Sequence, residues 1–307
     1  MTPVAVLITI ASYFLILFTI SYIAGRKADN EGFFVGNRKS AWYVVAFAMI
    51  GSSISGVTFV SVPGMVGISN FSYLQMVLGF VTGQIIIAFV LIPLFYRMNL
   101  VSIYEYLENR FGTSSYKTGA WFFFISKILG AAVRLYLVCL TLQLLVFEPF
   151  HMPFIMNVIL TVALVWLYTF RGGVKSLIWT DSLKTFCLIV SVVLCIYYIA
   201  TDLKLSFTEM FSTVSDSVLS HMFFFDNVND KRYFFKQFLA GVFTMIAMTG
   251  LDQDMMQRNL SCKNFKDSQK NMITSGISQF FIILLFLMLG VLLYTFTSHQ
   301  GITNPAK

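Results

Sequence analysis

From Ser40 to Tyr96 the chain carries no charged side chain, and within that stretch residues 48–67 read AMIGSSISGVTFVSVPGMVG. An uncharged run of this length is suited to lipid, since a helix crosses the hydrocarbon core with about 20 apolar residues. The whole chain agrees: 57% of residues are hydrophobic, 11% are charged, and the mean hydropathy is +0.78. Soluble domains are roughly a quarter charged, so the expected fold class is an all-α, polytopic membrane bundle. The net charge of +7 gives no nucleic-acid signal, because the cations sit in short loops and form no patch interleaved with aromatics. Cys139, Cys187 and Cys195 fall in apolar runs and Cys262 in a basic loop, so reduced thiols are expected. Only "MTP" precedes the first apolar run; no cleavable signal is expected, and residues 4–24 read as a membrane helix.

Span length places eight helices at about 4–24, 42–66, 72–96, 118–146, 154–170, 177–200, 234–251 and 271–296. The segment GMVGISNFS marks the turn between the second and third. Orientation follows from the loop cations. With the N-terminus outside, the inner loops hold thirteen (Arg26, Lys27, Arg38, Lys39, Arg97, Arg110, Lys117, Arg171, Lys175, Arg258, Lys263, Lys266 and Lys270) and the outer segments five. Two further helices are expected along the interface. SIYEYLENRFG has Ser102 and Glu105 in capping-box spacing, and SFTEMFSTVSDSVL has Ser206 and Glu209. The second sets Phe207, Met210, Phe211, Val214 and Val218 on one face.

Within the second span, Gly51, Ser52, Ser53, Ser55 and Gly56 point around the whole helix, whereas a packing motif keeps to one side. Irregular backbone at membrane depth survives only where it is buried in protein or lines a wet cavity. The expectation is a helix broken at a binding site, with close helix packing as the alternative.

Four blocks carry a resemblance: FFVGNRKSAWYVVAFAMIGSSISGVTFVSVPG, LVSIYEYLENRFG, YTFRGGVKSLIWTDSLKT and GLDQDMMQRNLSCKNF. Together they resemble the sodium:solute symporter family over nearly the whole chain. The resemblance implies an inverted-repeat transporter fold of the LeuT type, with residues 42–200 as the first five-helix repeat and 234–307 as an incomplete second. It implies Na⁺-coupled transport of a small solute across the plasma membrane (the inner membrane in a Gram-negative cell), with Na⁺ as the co-transported ion and no organic cofactor. By motif position the main-chain oxygens of Gly51 and Ile54 fall at the family's central Na⁺ site, and oxygen ligands suit a hard cation. Ser53 and Thr58 fall where relatives contact solute, with Gln75 beside them. The chain stops at SHQGITNPAK, before the helix that completes the ion site in relatives, so it reads as an incomplete member.

Three of the charges inside spans need an account. Asp181 in the WTD block reads either as an ion-pathway acid or as an interfacial acid paired with Lys184; the resemblance favours the ion. Lys127 and Arg134, seven residues apart, lie near one helix face. Lys127 is expected to snorkel to the inner surface. Arg134 lies too deep for that and needs a partner or a cavity. Its fork suits a carboxylate, and no acid accompanies Val57, Gln75 and Gln84 on the first two core helices, so an organic anion is favoured over a sugar. Neither HExxH nor GxSxG occurs, and His151, His221 and His299 lie in or near loops, so an enzyme is not expected. A receptor, channel-like bundle or inactive fragment is the rival. A second interruption at AMTGLDQD, paired with the first, discriminates in favour of the transporter.

Overall fold

A computed structural model describes residues 3–25, 39–100, 102–169 and 173–300. Arg26, Lys27, Arg38 and Arg171 of the charge count lie outside them. All regular structure in the described residues is helical. In chain order the helices are α1 (Pro3–Gly25), α2 (Trp42–Ser53), α3 (Gly56–Ser69), α4 (Tyr73–Arg97), α5 (Ile103–Phe111), α6 (Thr113–Phe150) and α7 (Phe154–Thr169). They continue with α8 (Gly173–Asp202), α9 (Phe207–Ser215), α10 (Phe234–Gly250), α11 (Gln253–Leu260) and α12 (Phe265–His299). By length and apolarity five cross a membrane unaided: α1, α4, α6, α8 and α12. The α2–α3 and α10–α11 pairs, bent by 65° and 69°, bring the number to seven. The shorter apolar stretch Phe154–Leu167 fills the place expected of the eighth.

Span boundaries shift where helices outrun the membrane. The span expected at 118 starts at Thr113, directly after Gly112 (φ +87°) ends α5. The one expected at 271 starts at Phe265, where the Asn264 side chain accepts from Asp267 N at 2.8 Å. Gly64 and Gly67 belong to α3, so the predicted turn contracts to residues 70–72. The capping box of α9 is present, with Ser206 N donating to Glu209 Oε2 at 2.7 Å. Its apolar face is divided, however. Met210 and Val214 are buried, while Phe207 and Phe211 are exposed. The helix ends at Ser215, so Val218 leaves the expected stripe.

The two bent pairs sit reciprocally. α10 packs on α4, and α3 packs on α12, so each broken helix lies against the second helix of the other repeat. Glycines allow the approach. A Cβ at Gly79 on α4 would lie 2.9 Å from Val242 N, and one at Gly241 on α10 would lie 3.1 Å from Gly79 Cα. At the other crossing, a Cβ at Gly290 of α12 would lie 2.7 Å from Pro63 O on α3. α4 and α10 also share a defect. Each contains one π-turn, Ile87–Leu91 and Ile246–Gly250, and the two touch where a Cβ at Gly250 would meet Ile87 Cγ1 at 3.0 Å. Widened turns free main-chain oxygens, and Gln269 of α12 donates to one of them, Ala88 O, at 2.9 Å.

Gly241→Val is expected to destabilise the bundle by about 1–3 kcal/mol, because backbone faces the added atoms and cannot move aside. Gly64→Ala, with nothing within 4 Å of its Cβ position, serves as the neutral control. Thermal unfolding of the detergent-solubilised chain reads the difference; equal midpoints for the two variants contradict the crossing.

Candidate ion and solute site

The first break lies between α2 and α3. Ile54 N donates to Ile50 O at 2.9 Å, closing α2, and the next main-chain bond is Phe59 N to Ser55 O at 3.2 Å. Ser55 N turns instead to Thr58 Oγ1 at 3.3 Å, and the Ser55 side chain caps the amide of Thr58. The capping box therefore starts α3 afresh. Among the described residues no main-chain amide reaches the carbonyls of Gly51, Ser52, Ser53 or Ile54. Ser53, Gly56 and Val57 are exposed at the break, while Ile54 is buried and anchors it.

Gly51 serves a second purpose, the packing role weighed as the alternative. A Cβ there would overlap Thr185 Oγ1 and lie 2.6 Å from Asp181 O of α8. Thr185 Oγ1 donates to Phe47 O at 2.8 Å, and Ser182 Oγ to Val44 O at 3.4 Å, so α2 lies flush on α8. The second break, at Leu251, faces the first. Ser52 Oγ contacts Met255 Sδ of α11 at 3.5 Å, and Asp252 caps α11 through Met255 N at 3.1 Å. The Ser52 and Ser53 hydroxyls both also donate to Met49 O, at 3.0 and 2.9 Å.

Asp181 is 3% exposed, and its carboxylate is held by Lys184 at 2.9 Å and by Arg258 of α11. Arg258, 6% exposed, binds Asp254 as well, Nε to Oδ1 at 3.1 Å. The pairing with Lys184 was one of the two readings of Asp181. The dominant partner, Arg258, had been counted only as an inner-loop cation. A QRNL segment gives no sign that its arginine turns inward; the sequence signal was the acid alone, which needs a buried cation somewhere. Lys127 reaches an acid at the start of the segment expected inside. It pairs with Asp252 beside the second break at 2.6 Å and lies 5.4 Å from the Phe123 ring centre. Arg134, on the same helix, is exposed and has no ion pair among the described residues.

Gln75 stands apart from the break. It is fully buried at the far end of α3–α4, donating to Arg232 O at 2.8 Å and accepting from Phe224 N at 3.2 Å. Gly51, Ser53, Ile54 and Thr58 are thus brought together at one break with Asp181 behind Gly51, whereas Gln75 is a post for a loop. Gln84 is buried against α10 and α12, donating weakly to Gln279 Oε1 at 3.5 Å.

Two broken membrane helices, reciprocally packed and meeting at their breaks, define the architecture of an inverted-repeat secondary transporter. The chain belongs to the sodium:solute symporter family, which it matches over residues 33–306. It is 26% identical over 293 residues to the sodium/sialic acid symporter NanT of Aliivibrio fischeri, covering 91% of this chain and 55% of that one. It is 25% identical to human sodium-coupled monocarboxylate transporter 2 (88% and 43% covered) and 24% identical to the human sodium/iodide cotransporter (89% and 42%). It therefore spans about half the length of these relatives. A solved Na⁺-coupled sialic acid symporter, substrate-bound and outward-open, superposes with a TM-score of 0.83 at 21% identity, covering 96% of this chain and 62% of that one.

Removing one partner of a buried ion pair costs about 3–5 kcal/mol, because the other charge is left behind. Asp181→Asn should show a loss of that order, and the double variant Asp181→Asn/Arg258→Met should recover a large part of it. A thermal-unfolding double-mutant cycle checks this. Additive losses would mean that the two side chains do not depend on each other.

Proposed function

We propose that this chain carries the ion- and solute-binding breaks of a Na⁺-coupled symporter that moves a small solute by alternating access. One observation carries the reading: four consecutive carbonyls lack main-chain donors at a break that touches a second broken helix through Ser52 and Met255. Open carbonyls at membrane depth require a partner, and a monovalent hard cation suits an all-oxygen, uncharged set. In this reading Gly51 and Ile54 supply main-chain oxygens to Na⁺, while Ser53 and Thr58 face the solute at the mouth of α3. The Asp181 carboxylate, already held by two cations, acts on the ion at one remove by fixing α8 and α11 around the break. Arg134, exposed and without an ion pair among the described residues, receives an anionic group of the solute. The solutes in the three relatives' names, sialic acid, monocarboxylates and iodide, are all anionic at neutral pH.

Na⁺ binding stabilises the folded chain by RT ln(1 + [Na⁺]/Kd). Na⁺, and not K⁺, is therefore expected to raise the unfolding midpoint of the chain in nanodiscs, and Ser55→Ala/Thr58→Val, which removes the capping box, should erase the shift. Pyruvate should add to the Na⁺ shift with Arg134 present and not with Arg134→Ala. An equal response to K⁺ removes the ion site; an equal pyruvate response in Arg134→Ala removes the anion reading.

In this reading the chain sits in the plasma membrane with the N-terminus and the 201–233 loop outside, an orientation that the bias of the loop cations supports. Ser215→Cys should react with an impermeant maleimide added to intact cells, and Lys266→Cys should react only after permeabilisation. The opposite pattern reverses the orientation.

A further inference from the structure

The loop between α8 and α10 encloses a cavity of about 650 Å³ that is separate from the breaks. It opens at Asn70, the residue after α3, and the fourteen residues of that helix set it roughly 20 Å from the first break. The volume falls in the range of about 300–1,000 Å³ usual for small-molecule sites. Phe224 forms one wall, with the Arg232 guanidinium 4.4 Å above its ring and the His221 ring 4.6 Å from it, edge to face. Asn70, Ser215, Asp226 and Asp230 are among its other polar lining residues.

The walls are held from behind. Gln75 grips the main chain at both Arg232 and Phe224. Phe71 N donates to His221 O at 3.1 Å, and Phe234 N to Phe224 O at 2.8 Å. Asn70 Nδ2 donates to Val218 O at 2.8 Å. The cavity is therefore pre-formed by the rigid end of the bundle.

Its chemistry selects a ligand class. Arg232 and Asp230 neutralise each other in a bidentate pair, Nη2 to Oδ2 at 2.9 Å and Nε to Oδ1 at 3.3 Å. The Arg232 guanidinium also holds the Asp230 carboxyl below its ordinary range. The remaining Arg232 nitrogen, Nη1, makes only a 3.4 Å contact with Asn70 Oδ1, so it is a donor to spare. Among the described residues the Asp226 carboxylate and the Ser215 hydroxyl have no hydrogen-bond partner. The site thus presents an acceptor-only carboxylate, a donor-only guanidinium, an imidazole and a hydroxyl beside an apolar ring. A simple anion is repelled by Asp226, and a simple ammonium offers no acceptor to Arg232 Nη1. Hydroxyl groups both donate and accept, and a ring of C–H bonds packs on Phe224.

We infer that this cavity is a second binding site, ahead of the breaks, for a small polyhydroxylated solute of monosaccharide size. The binding stands on the cavity alone; its role in capturing solute for transport rests on the symport reading.

Saturation-transfer NMR on the full chain in nanodiscs tests it, with D-galactose, D-mannitol and sodium gluconate as probes and propionate and choline as controls. Ser215→Trp fills the cavity from an exposed position, and Ser53→Trp plugs the first break; circular dichroism confirms that both fold. The expected result is transfer to the polyhydroxylated probes, lost in Ser215→Trp and retained in Ser53→Trp, with no transfer to either control that Ser215→Trp abolishes. Transfer that survives Ser215→Trp, that is lost in Ser53→Trp, that Ser215→Trp abolishes equally for the controls, or that is absent for all three probes overturns the site. The Na⁺ shift of the unfolding midpoint is read on the same Ser215→Trp sample. Its persistence there while probe binding is lost separates the two sites, and its absence in the unmodified chain counts against the symport reading without touching this one.

Discussion

Lipid offers a main-chain carbonyl no hydrogen-bond partner, so the four open carbonyls from Gly51 to Ile54 constrain everything packed around them. They are tolerable only if the break is enclosed on its sides and faces something polar. α8 supplies one wall, pressed close because Gly51 has no side chain. α11 supplies another, reaching the break through Met255. Local chemistry then fixes where the helix restarts: the Ser55 and Thr58 side chains cap each other's amides, so α3 begins afresh while the acceptors of α2 remain open. A run of open carbonyl oxygens suits a hard cation.

The ion pair behind the break is of a different kind. Burying Asp181 and Arg258 together confers little net stability, since desolvation offsets most of their attraction. What it provides is geometry. An unpaired charge there would cost several kcal/mol, so α11 is held in the register that brings Arg258 to Asp181. Lys184, Asp254, Lys127 and Asp252 extend the same charge pattern around the second break. Polar side chains inside membrane spans are expensive and occur where they carry function, and here they concentrate on the helices that meet at the breaks.

Much of this was legible in the sequence. The spans followed from apolar length, and the first break followed from Gly and Ser distributed around the helix instead of along one face. The second interruption was visible in AMTGLDQD, and the structure bends there by 69°. Partners were far less legible. Arg258 read as a cation bound for water, because a one-dimensional pattern records how far a charge lies from a span end and not what faces it across the bundle. Gln75 read as a solute contact from its place in the uncharged stretch, yet its amide is used by the backbone of a loop some 150 residues away in sequence. The split face of α9 has the same origin. Periodicity identifies an amphipathic helix but does not say whether protein or lipid meets each part of its apolar side.

Asp181 is used twice, and this joins the two halves of the site. Its carbonyl oxygen lies against the Cα face of Gly51, while its carboxylate binds Arg258. Thr185, one turn on, ties the same stretch of α8 to Phe47 through its hydroxyl while also bonding Asp181 O. A single turn of α8 therefore touches the first broken helix on its main-chain side and the second through its side chain. A displacement of α2 that opens the Gly51 contact strains the hydrogen bond of Thr185 to Phe47, and a displacement of α11 strains the ion pair on the same residue. Packed cores do not deform continuously, so the two breaks share one abutment that both must leave, or keep, together.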